Sequence, residues 1–496
     1  MYEKNKCFPG MEDAKGYEGK YNYIPVAKEI YSDFITPIQV LKKLKNVSRH
    51  VFMLESVENQ EKTGRYTFLG YDPKLCITCL NNILKVTDAD GNVIKEETTT
   101  HPAIFINEVI NEHKSPRIKG LPSFTGGLVG YFAYDYIKYA EPTLKLDAND
   151  EEGFNDVDLM LFDKVVAFDN IKQKLIVIVN IKTDKLEDDY ENAVSEIDSI
   201  IKLLKTGEEI KEEKARVTSE FRKLFNEEEF CEMVEKGKKH IYEGDIFQVV
   251  LSNRLDADFE GSLLDTYRVL RTINPSPYMF YFSGDDMEVA GASPETLVKL
   301  EDGVLHTFPL AGTRPRGKDY EEDLALEKEL LADEKECAEH NMLVDLGRND
   351  IGKISEFGSV KLEKYMTIER YSHVMHIGST VRGNIRKDCT TLDAIDAILP
   401  AGTLSGAPKL RACEIINELE NNKRGIYGGA IGYIDFTGNL DTCIAIRIAY
   451  KKNKKVFVRS GAGIVADSVP KSEYIESINK AKAVMTAIEY STEMEG

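Results

Sequence analysis

Short apolar segments of strand length constrain the fold of this chain more than any other feature. In the first third, VFMLESVE, RYTFLGYD, KLCITCL and ILKVTD are each bounded by Gly, Asp or Asn, as strands are, and DADGN is a hairpin turn signal. In the second half, such segments alternate with helical ones, and several strands follow one another directly. We therefore expect a mixed sheet with helices outside it, rather than a purely parallel α/β fold.

A charged segment, KTGEEIKEEKARVTSE, divides the chain. It has no apolar periodicity and follows a stretch that predicts an amphipathic helix, with Leu186, Val194 and Leu204 on one stripe. We expect a boundary near residues 205–218, separating an N-terminal domain (1–215) from a C-terminal domain (216–496). Beyond it, the pattern predicts one long helix from about Asp319 to Gly347.

Composition excludes several classes of function. The net charge of −20 argues against nucleic acid or an anionic membrane as the main partner. The N-terminus lacks the apolar region of a secretory signal, and the longest apolar runs have the length of strands, so we expect a cytoplasmic protein. Of the eight cysteines, Cys76 and Cys79 form the one C-x-x-C. They lie in a predicted strand, which favours core thiols over a metal or redox site.

Two segments place carboxylates on helix faces. DEKECAEHNMLVDLGRND puts Glu336, Glu339 and His340 on one face, and SEYIESINKAKAV does the same for Glu473, Glu476 and Lys480. Carboxylates without paired His or Cys favour a hard ion such as Mg²⁺. The alternative for both segments is a solvated surface with ion pairs.

Three glycine loops could present backbone amides to an anion: PLAGTRPRG, LPAGTLSGAPK and RSGAGIVADS. None is a Walker loop, and ordinary tight turns are the alternative. SHVMHIGSTVRG holds His373 and His376, either of which could act as an acid or base. Glu295 follows a Ser-Pro turn, where partial desolvation would raise its pKa and make it an acid.

Taken together, these motifs resemble the chorismate-utilising enzymes. The resemblance rests on SPETLVKL, PLAGTRPRG, DEKECAEHNMLVDLGRND, YSHVMHIGSTVRG, LPAGTLSGAPKLRACEII, RGIYGGAIGY, SGAGIVADSVPKSEYIES and NKAKAV, in this order. It is dense from about Phe225 to Ala487. IPVAKEIYSDFITPIQVLKKL, FMLESVE and RYTFLGYDP extend it to the large subunits of anthranilate synthases. It implies an α+β fold with α/β/β/α layers, in which large mixed or antiparallel sheets pack together with helices outside.

The resemblance also implies an activity and its residues. Chorismate and ammonia would become anthranilate and pyruvate, the first step of tryptophan biosynthesis, in the C-terminal domain. Glu339 and Glu476 would bind Mg²⁺. Glu295 would protonate the leaving hydroxyl. The remaining catalytic residues would be Thr403 and His376 beside the ring, Gln248 and Glu336. The residues that would bind the substrate are Gly312, Thr313, Tyr427, Arg447, Gly461, Ala462, Gly463 and Lys480.

Two positions discriminate among the relatives. Relatives that add water have a lysine where this chain has Gln248, and glutamine is no base. Relatives that make aminodeoxychorismate have a nucleophilic lysine where this chain has Ala311. Ammonia acting directly is therefore the expected nucleophile. The alternatives are an aminodeoxychorismate synthase component I without that lysine and a non-catalytic tryptophan-binding regulator.

The resemblance implies partners as well. The chain has no G-x-C-x-G element, so a separate glutamine amidotransferase subunit would supply the ammonia, in a heterotetramer of two large and two small subunits. L-Tryptophan would inhibit by binding in part to the N-terminal domain and biasing an interdomain equilibrium. The residues of that feedback site would be Glu55, Ser56, Pro277, Tyr278, Met279, Ile431 and Tyr433.

Overall fold

A computed structural model describes residues 6–56, 64–371 and 374–493. Its helices, numbered along the chain, are α1 (Met11–Lys15), α2 (Pro37–Val47), α3 (Pro102–Glu112), α4 (Ile137–Ala140), α5 (Leu186–Thr206), α6 (Glu227–Tyr242), α7 (Leu264–Ile273), α8 (Tyr320–Ala332), α9 (Glu334–Gly352), α10 (Thr391–Ile398), α11 (Lys409–Glu420) and α12 (Pro470–Glu493). Two short 3₁₀ helices span Tyr134–Tyr136 and Gly402–Leu404. None of the helices in these ranges is both long and apolar enough to cross a bilayer.

The strands form two large sheets. In chain order they are β1 (Tyr23–Tyr31), β2 (Val51–Glu55), β3 (Tyr66–Tyr71), β4 (Leu75–Leu80), β5 (Ile83–Asp88), β6 (Val93–Thr98), β7 (Gly127–Phe132), β8 (Val157–Phe162), β9 (Lys164–Asp169), β10 (Lys174–Lys182), β11 (Arg216–Val217), β12 (Arg222–Lys223), β13 (Gln248–Glu260), β14 (Tyr278–Ser283), β15 (Met287–Ser293), β16 (Thr296–Glu301), β17 (Val304–Thr307), β18 (Leu310–Pro315), β19 (Lys361–Arg370), β20 (Val374–Asn384), β21 (Gly406–Ala407), β22 (Ala430–Asp435), β23 (Leu440–Ile444), β24 (Ile448–Lys452) and β25 (Lys455–Ile464).

The first sheet has the order β1-β10-β9-β3-β2-β14-β15-β24-β25-β13-β11, with β12 and β21 also on β13. The second has the order β18-β20-β17-β16-β23-β22-β7-β8-β4-β5-β6, with β19 on β20. The pairs in both sheets are antiparallel, as in the central pair of β14 with β2 and that of β22 with β7. The strand pairs expected from the sequence are therefore present, in an antiparallel arrangement.

Large apolar side chains pack the two sheets face to face. Phe52 of the first sheet lies edge-on to Phe162 of the second, with ring centroids 4.7 Å apart, and both side chains are buried. Helices α2, α5, α7 and α12 cover the outer face of the first sheet, and α9 and α10 cover that of the second. The α/β/β/α layering is thus confirmed.

Both sheets contain strands from both sides of residue 215. In the first sheet, β2 pairs with β14, so that Glu55 is opposite Met279. In the second, β7 pairs with β22. The segment 207–215 contains no helix or strand, and β11 follows it. The division into domains 1–215 and 216–496 remains a prediction.

The prediction of one long helix from Asp319 to Gly347 is wrong, because the chain forms two helices there, α8 and α9. Asp333 between α8 and α9 has extended backbone angles, and its carboxylate accepts hydrogen bonds from the backbone N–H groups of Lys335 and Glu336 in the first turn of α9. Cys76 and Cys79 lie on β4, as predicted. Cys79 is buried and Cys76 packs against the core, and neither forms a disulfide.

Candidate active site

The PLAGTRPRG segment forms strand β18, which pairs with β20. The register shifts between Ala311 and Thr313, so Gly312 forms a bulge, and its φ of +66° lies in the left-handed region that favours glycine. A Cβ on Gly312 would stand 3.2 Å from Glu336 Oε2. The glycine therefore lets a carboxylate from α9 approach the backbone of the strand.

His376 lies on β20 opposite Thr313. Its Nδ1 is 2.9 Å from the carbonyl oxygen of Gly312, which can only accept, so we assign the ring proton to Nδ1. Burial lowers the pKa of this histidine, and the positive charge of Arg447 lowers it further. The imidazole is therefore neutral, with the unshared electron pair on Nε2.

Glu295 occupies the connection between β15 and β16. Burial raises its pKa to about 7, although the hydrogen bond from Thr403 and the charges of Arg447 and Lys480 oppose that rise. The Thr403 hydroxyl donates to Glu295 Oε1 over 3.0 Å. The charge of Arg447 acts to lower the pKa of both His376 and Glu295, so these residues lie in one site. That site also includes Thr403 and Lys480. A carboxyl with this pKa holds its proton over part of the neutral range.

Helices α9 and α12 bring the predicted metal ligands together. Burial raises the pKa of Glu339, as do the charges of Glu336 on the same helix and Glu476 on α12. Burial likewise raises the pKa of Glu473, and Glu476 adds to the rise. Lys480 Nζ lies 2.7 Å from Glu476 Oε1 and 3.2 Å from the carbonyl oxygen of Gly461. The two acidic helix faces predicted from the sequence therefore form one cluster with Lys480.

The chemistry of these donors fits a hard divalent cation, because hard cations prefer carboxylate oxygens and the charges of Lys335 and Lys480 offset only part of the negative charge on Glu339 and Glu473. Burial and repulsion from neighbouring carboxylates raise the pKa of Glu339 and of Glu473, and within the described part of the chain no three of these carboxylates bring their ligand atoms within 4.8 Å of one another. Among the described residues, the group whose potential ligand atoms all lie within 4.8 Å is His240, Glu243 and Asp245. There, the Asp245 carboxylate already accepts from His240 and from an arginine.

The glycines at the end of β25 pair with β13. A Cβ on Gly461 would stand 2.5 Å from the carbonyl oxygen of Leu251, and one on Gly463 would stand 2.6 Å from Gln248 Nε2. Ala462 points to the opposite face, into the core beneath α6 and α11. Gln248 is buried, and its Oε1 has no hydrogen-bond partner among the described residues. This part of the candidate site therefore presents backbone groups of residues 461–463 and the side-chain amide of Gln248 to a ligand.

Tyr427 lies beside a buried charge network that was not predicted from the sequence. Its ring centroid is 5.9 Å from the Arg424 guanidinium. Glu420 accepts from Arg424 Nη2 over 2.5 Å and from Arg459 Nη2 over 2.8 Å, and also from the backbone N–H of Ser252. The Glu420 and Arg424 pair, four residues apart, resembles a surface ion pair in the sequence, so nothing there indicated burial.

The residues predicted to form the feedback site lie in two groups, each with its own hydrogen bonds. In the first, the carboxylate of Glu55 accepts from the hydroxyl of Tyr267 over 2.6 Å and from Arg271 Nη2 over 3.0 Å, both on α7. Ser56 directly follows β2, and Pro277 directly precedes β14. Tyr267 and Arg271 were not predicted.

The second group joins the two sheets. The Tyr278 hydroxyl of β14 donates to Asp441 Oδ1 of β23 over 2.8 Å. Tyr433 of β22 is the register partner of Asp441, and Ile431 lies two residues earlier on the same strand face. The structure thus groups feedback candidates from both sheets around Asp441, which was not predicted from the sequence. His373, singled out with His376, lies outside the described residues.

Comparison with known proteins agrees with this arrangement. The family model described as chorismate binding enzyme matches residues 50–486. Anthranilate synthase component 1 of Acetivibrio thermocellus is 46% identical over 98% of this chain and 99% of its own. The protein of that name from Acinetobacter calcoaceticus is 46% identical over 95% of this chain and 96% of its own.

Two solved structures show the same fold. Anthranilate synthase component I from Streptococcus pneumoniae superposes with a TM-score of 0.75 at 39% identity, covering 92% of this chain and 98% of its own. The menaquinone-specific isochorismate synthase of Escherichia coli superposes with a TM-score of 0.68 at 18% identity, covering 96% of this chain and 98% of its own, which supports the fold alone. The chain therefore belongs to the anthranilate synthase component 1 family of chorismate-binding enzymes.

Proposed function

We propose that the chain converts chorismate and ammonia into anthranilate, pyruvate and water, the first step of tryptophan biosynthesis. The observation that carries this proposal is the partly buried Glu295, whose pKa of about 7 lets it hold a proton beside two cations, Arg447 and Lys480. A dianionic substrate needs such cations, and a hydroxyl leaving group needs such an acid.

Glu295 supplies the proton for the first step. The nitrogen lone pair of ammonia forms a bond to the ring carbon beside the carboxylate, the ring double bonds shift, and the bond to the hydroxyl oxygen breaks. That oxygen leaves as water with the proton from Glu295, and the ammonium group formed on the ring releases one proton to solvent. Thr403 orients the carboxyl by its hydrogen bond to Oε1. Gln248 and Ala311 offer no amine to compete with ammonia.

Substrate binding is assigned to cations and to backbone. In this proposal Arg447 and Tyr427 hold the enolpyruvyl carboxylate beside Lys480 and the backbone of 461–463. Glu339 and Glu476 would hold Mg²⁺, which when bound offsets the negative charge of the ring carboxylate. Glu336 and Glu473 support these ligands.

His376 is suited to the second step. Its neutral ring has an unprotonated Nε2, because the ring proton is on Nδ1, which donates to the carbonyl oxygen of Gly312. Nε2 takes the proton that the ring carbon loses, and the bond between the ring and the ether oxygen breaks, so the ring becomes aromatic. The enolate that leaves takes up a proton at its methylene carbon and becomes pyruvate. Thr313 lies beside His376, and the hydroxyl oxygen of Thr313 is 3.1 Å from His376 Nδ1.

We further propose that a component 2 partner, a glutamine amidotransferase, supplies the ammonia in a heterotetramer of two large and two small subunits. The names of the component 1 relatives support a second component. L-Tryptophan is the proposed inhibitor, bound by the feedback residues around Glu55 and Asp441. The cytoplasmic location remains a prediction.

The alternatives receive less support. An aminodeoxychorismate synthase component I without the lysine at the position of Ala311 is less favoured because the similar full-length relatives named above are anthranilate synthase component 1 proteins. A regulator without activity would have no need of Glu295, His376 and Lys480 together in one site.

The test is an assay of the purified chain with chorismate, Mg²⁺ and ammonium at alkaline pH, with and without tryptophan. We expect fluorescent anthranilate and an equal amount of pyruvate. Glu339→Gln should lose Mg²⁺-dependent turnover, whereas Glu334→Gln, an exposed position on the same helix, should retain it. If the wild-type chain formed no anthranilate, the proposal would be wrong. Full turnover by Glu339→Gln would remove Glu339 from the metal site.

A further inference from the structure

Arg314 in the PLAGTRPRG strand has no role in the proposed chemistry, yet it contacts three carboxylates. Its Nε donates to Glu329 Oε1 over 2.9 Å, and its Nη2 donates to Asp333 Oδ2 over 3.0 Å. Its Nη1 lies 3.6 Å from Glu336 Oε1. The side chain is only 20% exposed, so these contacts are partly shielded from water. One guanidinium thus connects β18 to α8, to the junction of the two helices and to α9.

These contacts converge on the first turn of α9. The Asp333 carboxylate that accepts from Arg314 also caps this helix, because its Oδ1 accepts from the backbone N–H groups of Lys335 and Glu336. The second oxygen of Glu336 faces Gly312 on β18. The Glu336 carboxylate is therefore held between the guanidinium and the bulge of the strand, one turn from Glu339.

A carboxylate that is paired with a guanidinium adds little net charge to its surroundings. We propose that Arg314 is a positioning residue that holds Glu336 against β18 and so limits the negative charge that α9 presents to a divalent cation. This inference rests on the proposed function only in taking α9 and α12 as the face that binds the metal.

Arg316 provides a matched control in the same loop. Its Nε and Nη2 donate to the two oxygens of Asp323, in the first turn of α8, and its Nη1 donates to the carbonyl oxygen of Tyr371. Replacement of either arginine by glutamine removes one positive charge, from β18 for Arg314 and from the residue directly after it for Arg316. The two variants differ in whether the lost charge pairs with α9.

The experiment measures Mn²⁺ binding to the full chain by titration calorimetry without chorismate. We expect Arg314→Gln to bind Mn²⁺ about three- to tenfold more tightly than the wild type, because a positive charge near the cation is lost and Glu336 is released. Arg316→Gln should bind as the wild type does. In the background of Glu336→Gln, adding Arg314→Gln should change the affinity much less, because the two residues act together.

A purely structural role for Arg314 predicts the opposite sign. Loss of the cap contact would then loosen the first turn of α9 and weaken Mn²⁺ binding, and that result would overturn the inference. Equal tightening in Arg316→Gln, or no Mn²⁺ binding by the wild type at millimolar concentration, would also overturn it. If Arg314→Gln does not fold, Arg314→Lys keeps the charge but loses the planar fork, and it should tighten binding by about twofold. Absence of anthranilate with the Mn²⁺ result intact would refute the proposed function alone.

Discussion

Removal of the Thr403 hydroxyl should shift the pH dependence of catalysis by a calculable amount. This hydroxyl donates to Glu295 Oε1 over 3.0 Å. Such a bond is worth about 1.5–3 kcal/mol to a charged acceptor and about 0.5–1.5 kcal/mol to a neutral one. The difference of roughly 1–1.5 kcal/mol favours the carboxylate, and about 1.4 kcal/mol corresponds to one pKa unit. Thr403→Val should therefore raise the pKa of Glu295 by about one unit.

The assay follows kcat/KM for chorismate by anthranilate fluorescence on both sides of pH 7, at a constant concentration of free ammonia. Glu295 acts as an acid, so the rate should fall as the pH rises through its pKa of about 7 in the wild type. In Thr403→Val this alkaline decline should begin about one unit higher. Glu295→Gln should lower the rate by about 10²–10⁴-fold, and the remaining rate should no longer decline at alkaline pH.

The control is Thr307→Val. Thr307 lines the same cavity as Glu295, but its hydroxyl donates to the carbonyl oxygen of Leu297. Its decline should therefore stay at the wild-type position. An unchanged alkaline decline in Thr403→Val, or an equal shift in Thr307→Val, would contradict the role assigned to the Thr403 hydrogen bond.

Two further predictions concern regulation and stability. Ser56→Arg should weaken inhibition by tryptophan by at least about tenfold while activity is retained, because it places a bulky cation within the proposed feedback site. Unchanged inhibition curves would show that the feedback site is misplaced. Glu420→Gln should lower the free energy of unfolding by about 3–5 kcal/mol, since Arg424 and Arg459 would remain buried without their carboxylate. Guanidinium unfolding measures this, with exposed Glu418→Gln, expected within about 0.5 kcal/mol of the wild type, as the control. A loss of under 1 kcal/mol for Glu420→Gln would contradict the assignment of a buried network.

Local structure could be predicted where neighbouring residues determine it. Alternation in KLCITCL identifies β4, and apolar spacing identifies α5, because both signals lie within one element. The pairing of β2 with β14 could not be predicted, since it joins strands far apart in the chain. The helix break at Asp333 was missed because no Gly or Pro marks it, although an Asp before a helix is a known start signal.

The candidate site shows the same limit. Glu339 and Glu476 could be placed on helix faces from their spacing, but their assignment to one metal came from the resemblance. The approach of Glu336 on α9 to β18 depends on a bulge at Gly312 that the sequence does not reveal. Burial of Glu420 is likewise set by tertiary packing, and an isolated helix would expose the same side chain.

The strand order has a consequence for how the chain folds during synthesis. The emerging N-terminal part can pair β2 with β3 and β7 with β8, but the other edges of β2 and β7 belong to β14 and β22. Until those later strands leave the ribosome, both edges offer unpaired N–H and C=O groups to any neighbouring chain. Nascent copies on one messenger are therefore exposed to mispairing for much of translation, and chaperone binding over β2 and β7 would protect them.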